Sequence, residues 1–178
     1  MKAAVFVGTS VDGFIARTDG SLDFLHAAGN EPHGYDEFIA TVDAIVMGRK
    51  TLDTVLGFDR WPYTKPVFVL STRPLPPLPR GGAAERLEGE PADVVAQLEA
   101  RGIGSIYVDG GITIQRFLDA GLIDRLIVSR VPVLIGSGIP LFGPLTRDIV
   151  LRHVATRHFA SGLVQSEYSL ATRTSEHS

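Results

Sequence analysis

Cysteine is absent from the chain, which excludes a disulfide frame, a thiolate metal site and a cysteine nucleophile. Strong charge of either sign is also lacking: 17 Lys and Arg stand against 20 Asp and Glu, a net charge of −3. That balance offers no electrostatic footprint for nucleic acid or an acidic membrane, whereas a phosphate-bearing small molecule needs only a local group of basic residues. Long apolar runs are missing. The opening MKAAVFVGTSVDGFIA is interrupted by Gly8 and Asp12, too soon for a signal sequence or a membrane span. No internal repeat and no zinc-ligand motif occurs. His153 and His158, five apart on a strand-like stretch, are expected on opposite faces, so no metal site is predicted.

What is present suits a folded core: 178 residues, 44% hydrophobic and 21% charged, expected to form one soluble, cytoplasmic domain over 1–178 with a frayed polar tail, TRTSEHS. AAVFVGTS, AIVMG, KPVFVLST and SIYVDGG read as buried strands, short, apolar and bounded by Gly or Asp. VDGFIARTDG carries two Asp-Gly turn signals. GYDEFIATVD places Tyr35, Phe38, Ile39 and Val42 on one helix face, and RKTLDTVLG reads as a helix closed by Gly57. PADVVAQLEARG is a helix with Pro91 near its start and Gly102 past its end, and ITIQRFLDAG is another. RPLPPLPRGGAAERLEGEP reads as a surface loop. DRLIVSRVPVLIGSG and LRHVATRHFASGLVQSEYSLAT read as two long strands that pair antiparallel, since no helix separates them. This order predicts an α/β fold: a mixed, mostly parallel sheet with helices on both faces and an antiparallel C-terminal portion.

Ligands of such sheets sit beyond the carboxyl ends of the strands. Three strand ends here carry residues suited to phosphate: Gly48, Arg49, Lys50 and Thr51; Ser71, Thr72 and Arg73; and Gly110, Gly111, Ile112 and Thr113. Glycine at a helix start lets an anion approach free N–H groups, hydroxyls donate, and arginine grips phosphate through two nitrogens. The competing reading is a plain Gly-Gly turn, which glycine serves equally well. Arg49 and Lys50 favour the anion, because the helix dipole prefers acids in a first turn. Together the three segments point to a dinucleotide with an extra phosphate. Its fingerprint is not the ordinary one: GRKT lacks the upstream glycine of a P-loop, and GIGSIY and GSGIPLF lack the third glycine of a Rossmann turn.

SVDGFIARTDG, VDAIVMGRKTLD, PVFVLSTR, VDGGITIQRFLDAGLIDRL and VPVLIGSGIPLF, in that order, resemble the dihydrofolate-reductase-like superfamily. Within it they resemble the family of the C-terminal reductase domain of the bifunctional riboflavin-biosynthesis deaminase-reductase. The resemblance implies a three-layer fold and an NADPH-dependent reductase acting on a small heterocycle, carbonyl or imine. It puts Gly8, Ile15 and Ala16 at the nicotinamide carboxamide. Gly48, Arg49, Lys50 and Thr51 fall at the 2′-phosphate and pyrophosphate, and Ser71, Thr72 and Arg73 against the adenosine 2′-phosphate. Gly110, Gly111, Ile112 and Thr113 fall at the pyrophosphate, so that Gly111→Val is expected to block cofactor and spare the fold. It also implies a homodimer closed through the C-terminal strands.

On the substrate side the chain departs from both relatives. Dihydrofolate reductases carry a carboxylate on the first helix; here His33 or Pro32 falls near that position, with Asp36 and Glu37 flanking. Riboflavin-pathway reductases carry an Asp-Asn-Pro segment where this chain reads LDTVLGFDRWPYTKP. The substrate is therefore left open, as is a rival reading of a non-catalytic NADP(H)-binding sensor or assembly module. Asp12 is the candidate catalytic group, against its reading as a turn residue. Asp36, Phe38 and Trp61, with Tyr63, are the candidate pocket walls, against their reading as packing residues.

Overall fold

The computed structural model describes residues 1–171; TRTSEHS lies outside the described residues. Ten strands and four α-helices follow in the order β1 (Lys2–Ser10), β2 (Phe14–Ala16), a 3₁₀ helix (Asp23–Ala28), α1 (Tyr35–Ile39), β3 (Ala44–Gly48), α2 (Arg49–Leu56), β4 (Val67–Leu70) and β5 (Ala84–Leu87). They continue with α3 (Pro91–Glu99), β6 (Ser105–Asp109), α4 (Gly111–Asp119), β7 (Arg125–Val131), β8 (Ile139–Pro140), β9 (Leu151–His158) and β10 (Val164–Leu170). Eight strands make one sheet in the order β5-β4-β3-β6-β1-β7-β10-β9, while β2 and β8 form a separate two-stranded ribbon. The first six pair parallel, and β10 runs antiparallel to both β7 and β9. The expected architecture is present, and the physical reason is visible in β1. Its alternate residues Ala3, Val5 and Val7 pack with Val94 and Leu98 of α3 and Ile114 and Phe117 of α4. Ala4 and Phe6, pointing the other way, join Phe38 of α1 and Leu52 of α2. A strand buried on both faces cannot show polar alternation, hence the continuous apolar runs in the sequence.

Three segments differ from the sequence expectation, the first being DRLIVSRVPVLIGSG, which is strand only over β7 and leaves 132–138 as loop. The Pro-rich stretch is not loop throughout, because AERL forms β5 at the sheet edge, parallel to β4. Glu85 and Arg86 there are exposed, so the strand lacks an apolar pattern; charge on an edge also discourages pairing with other chains. The last stretch is not one strand but a hairpin. Gly162, at φ +90°, donates to the Phe159 carbonyl at 2.9 Å, closing the turn between β9 and β10. Register shifts there: Glu167 opposes Ala155 and Tyr168 opposes His153, leaving Val154 as an extra residue. That bulge breaks the two-residue alternation on which the opposite facing of His153 and His158 rested.

Candidate active site

The chain runs outward through β3, β4 and β5, then returns so that β6 fills the gap between β3 and β1. Strand ends that diverge in this way open a crevice at their carboxyl side. Here it is a cleft of ≈ 1140 Å³, floored by the ends of β1, β3 and β6. A smaller recess of ≈ 390 Å³ adjoins it, sharing Arg49, Leu70 and Arg116.

Two helices begin at this cleft, and both begin bare. α2 starts after Gly48 and α4 after Gly110; neither has a side-chain cap or an acid in its first turn. α3, whose start borders the recess and not the cleft, is capped by Glu90 and Asp93 reciprocally. Uncapped first-turn N–H groups need other partners, and at a cleft those can be an anion. The two starts also interlock. A side chain at Gly48 would meet the Thr113 hydroxyl at 2.8 Å, and one at Gly110 would strike the Thr51 hydroxyl. Gly110 is further restricted by φ +96°, where residues other than glycine are strained. A Cβ on Gly111 would meet Ile15 at 2.9 Å and the Pro140 carbonyl at 3.1 Å, on the ribbon of β2 and β8. Gly111→Val therefore would not spare the fold as the sequence suggests, because the ribbon packs directly on this glycine.

Gly8, Ile15, Ala16, Gly48, Arg49, Lys50, Thr51, Gly110, Gly111, Ile112 and Thr113 all line the cleft, while Ser71, Thr72 and Arg73 line the recess. The segments expected to take the cofactor, far apart in sequence, are thus brought together around the cleft and its recess. Arg49 is held by Asp53 at 3.1 Å and by the Pro74 carbonyl at 3.0 Å; the i,i+4 partner offsets part of its mismatch with the helix dipole.

The substrate-side expectations fare differently. Asp12 stands outside the cleft, accepting from the amides of Gly136 at 2.8 Å and Ile135 at 3.3 Å. Bonding to Ser10 and then these amides keeps its carboxyl below the ordinary range against a desolvation effect, so it ties a loop down as a charged acceptor. Asp36 is exposed and Phe38 is core, packed on Phe6 at 4.9 Å and Tyr107 at 5.1 Å between ring centres. Trp61 packs edge-on against Tyr63 at 5.5 Å. None of these three lines the cleft; Tyr35 and Tyr63 do. α1 is short, and packing turns its apolar face into the sheet, leaving Tyr35 toward the opening. His33 lies against the Phe159 ring at 4.6 Å.

The acid that the cleft does contain is Asp109, the last residue of β6. Its Oδ1 accepts from the Gly110 amide at 2.8 Å. Burial pushes its pKa up to about 6, against the lowering effect of the Gly110 amide and the Tyr107 hydroxyl. Desolvation dominates, so the protein holds a proton there to higher pH than a free carboxyl would. Tyr107, two residues earlier on the same strand face, donates to the Phe6 carbonyl at 3.0 Å. Burial first and Asp109 second raise the pKa values of Tyr35, Tyr63 and Tyr107. One signal for Asp109 was available in the sequence: a carboxylate ending the apolar run IYVD, directly before two glycines.

Comparison with known proteins accords with this geometry. The family model of the RibD C-terminal domain matches residues 2–165, and the chain belongs to that family, one of riboflavin-pathway-like reductases. The "uncharacterized protein YwjB" of Bacillus subtilis (strain 168) is 32% identical, over 94% of this chain and 97% of that one. A "putative riboflavin biosynthesis protein" of Shewanella sp. PV-4 has a solved structure that superposes with a TM-score of 0.89 at 41% identity, covering 96% of this chain and 99% of that one. The fold is that of dihydrofolate reductase: the Enterococcus faecalis enzyme, solved with NADP(H), superposes at TM-score 0.67 over 95% of this chain and 96% of its own, at 13% identity.

Proposed function

We propose that the protein is an NADPH-dependent reductase that transfers a hydride to a small heterocyclic, carbonyl or imine substrate. One observation carries the reading: two helix starts after glycine without side-chain caps and a buried carboxylate, Asp109, open on the same cleft. The residues fit the cofactor's chemistry. The first-turn amides of α2 and α4 with Thr51 and Thr113 suit a pyrophosphate, and the recess suits a 2′-phosphate through Ser71, Thr72, Arg73 and Arg49, its acids Glu88 and Glu90 being paired with Arg86 and Arg116. Gly8, Ile15 and Ala16 line the end that would take the nicotinamide. When bound, the dihydronicotinamide would supply the hydride.

The chain's own part is to orient the substrate ring against this end and to supply a proton. Asp109 is the group suited to that second task, since it retains its proton toward pH 6. Its presence favours turnover over a cofactor-binding sensor. The test is NADPH oxidation with pterins, pyrimidines and cyclic imines. Turnover of one of them, abolished in Asp109→Asn with cofactor binding kept, is the expected result; no turnover across the panel, with NADPH bound, would return the protein to the sensor reading.

A two-fold homodimer belongs to the same proposal. All eight residues of β9 are exposed, and Val150, Val154 and Val164 leave apolar surface at that edge. The Pro-rich segment joins β4 to β5 at the opposite end of the sheet, too far to cover it. Pairing with a second copy would close the edge.

A further inference from the structure

The charges around the cleft are not mixed but sorted. Its cationic lining residues are Arg49 and Lys50, in the first turn of α2, and Arg116 on α4. Two of the three are turned toward the recess: Arg49 and Arg116 line both cavities, and Arg116 is paired with Glu90, a recess residue, at 3.1 Å. The remaining charged lining residues are Asp19, Asp53 and Asp109. Asp53 is neutralised by Arg49, whereas Asp109 has no cationic partner among the described residues. Around it stand Tyr35, Tyr63 and Tyr107, with Phe6 and Leu25 as apolar wall.

We infer that the inner half of the cleft takes a ring compound that is neutral or cationic, carries N–H or O–H donors, and bears no phosphate. This rests on the reductase reading for the occupant of the other half. If the pyrophosphate and 2′-phosphate use the bare helix starts and the recess, Arg49 and Arg116 go with the recess and Lys50, in the first turn of α2, with the helix start. A second phosphate, on the substrate, would then face Asp109, which no cation of the described residues pairs, in a cleft of reduced dielectric where like charges repel strongly. A ring donor instead finds an acceptor: the Gly110 amide occupies Oδ1 of Asp109 and the one proton of the Tyr107 hydroxyl goes to the Phe6 carbonyl, which leaves the second oxygen for a ligand N–H or O–H. The phenol rings and Phe6 add flat apolar surface to the same cleft. The site thus selects by charge against the sugar-phosphate of a nucleotide and for the bare ring or nucleoside.

The experiment is calorimetric titration of the full chain, with and without saturating NADP⁺, using 5-amino-6-ribosylaminouracil and its 5′-phosphate. The expected result is tighter binding of the unphosphorylated compound by at least about 10-fold at low salt. The preference should shrink in about 0.5 M salt, where exposed charges are screened, and again in Asp109→Asn. Tighter binding of the 5′-phosphate, a preference indifferent to both salt and Asp109→Asn, or no binding of either compound overturns the inference. If Asp109→Asn does not fold, the salt series in the unmodified protein reads the same repulsion. Failure of NADP⁺ itself to bind would instead sink the reductase reading, and the two ligands would still report the cleft's charge selectivity in the cofactor-free titration.

Discussion

Replacing Asp109 by Asn should stabilise the protein at neutral pH and not at acid pH. The carboxyl ionises near 3.8 in an unfolded chain and at about 6 in the folded one. Between those values the folded state holds the extra proton, so stability falls as pH rises through the window and then stays level above it. The difference between 3.8 and about 6, at about 1.4 kcal/mol per pH unit, is worth about 3 kcal/mol. Water reaching Asp109 through the open cleft makes that an upper figure. Asparagine keeps the carbonyl that accepts from Gly110 at 2.8 Å, so the turn before α4 retains its bond while the buried charge is removed. In a chain of this size the melting temperature should rise at pH 7.5 by at most roughly 6–12 °C, with little change below pH 4. Urea unfolding of both proteins from pH 4 to pH 8, at constant ionic strength, makes the comparison. Parallel stability profiles across that range would show that burial does not shift this carboxyl, and its role as a proton source would lose its physical basis.

Arg73→Ala should weaken NADPH by about 10-fold or more and leave NADH nearly unchanged, since a forked contact to phosphate contributes roughly 1.5–3 kcal/mol; equal losses by calorimetry would remove the 2′-phosphate from the recess. Gly110→Ala should cost about 1–3 kcal/mol in thermal unfolding, because a Cβ is strained at φ +96° and meets the Thr51 hydroxyl; combining it with Thr51→Ser, which keeps the hydroxyl, should recover little. Light scattering should return a mass near twice the 19.2 kDa chain, and Val154→Asp should shift it to the monomer by placing a charge at the edge strand. A monomer at all concentrations would mean that β9 is left uncovered. Asp12→Ala should loosen the loop at Ile135 and Gly136, read as faster amide exchange there, while turnover persists; loss of turnover with exchange unchanged would restore Asp12 as a catalytic group.

Composition and periodicity alone determined the layered α/β class, the buried strands AIVMG and SIYVD, and the helix between Pro91 and Gly102. These depend on local physics: apolar runs that can be buried, a proline that fits a first turn, and a glycine that can take φ +79° past the end. The phosphate-suited segments were legible for the same reason, since each is a glycine or hydroxyl run at a strand end. Tertiary structure alone decided which of them meet. Gly48 and Gly110 are 62 positions apart, yet each packs on the other helix's threonine. It also decided the acids: Asp12 and Asp109 both precede a glycine in sequence, but one turns to a neighbouring loop and the other closes the floor of the cleft. Strand β5 escaped the sequence because an edge strand is held by backbone pairing with a neighbour, which leaves no apolar pattern to read, whereas the C-terminal stretch read as antiparallel strand and only the turn at Gly162 that divides it into β9 and β10 was missed. A carboxylate's pKa likewise depends on what surrounds it: Gly110 and Tyr107 act on Asp109 from beside it in the chain, but the burial that dominates is completed by distant cleft residues such as Phe6, Tyr35 and Tyr63.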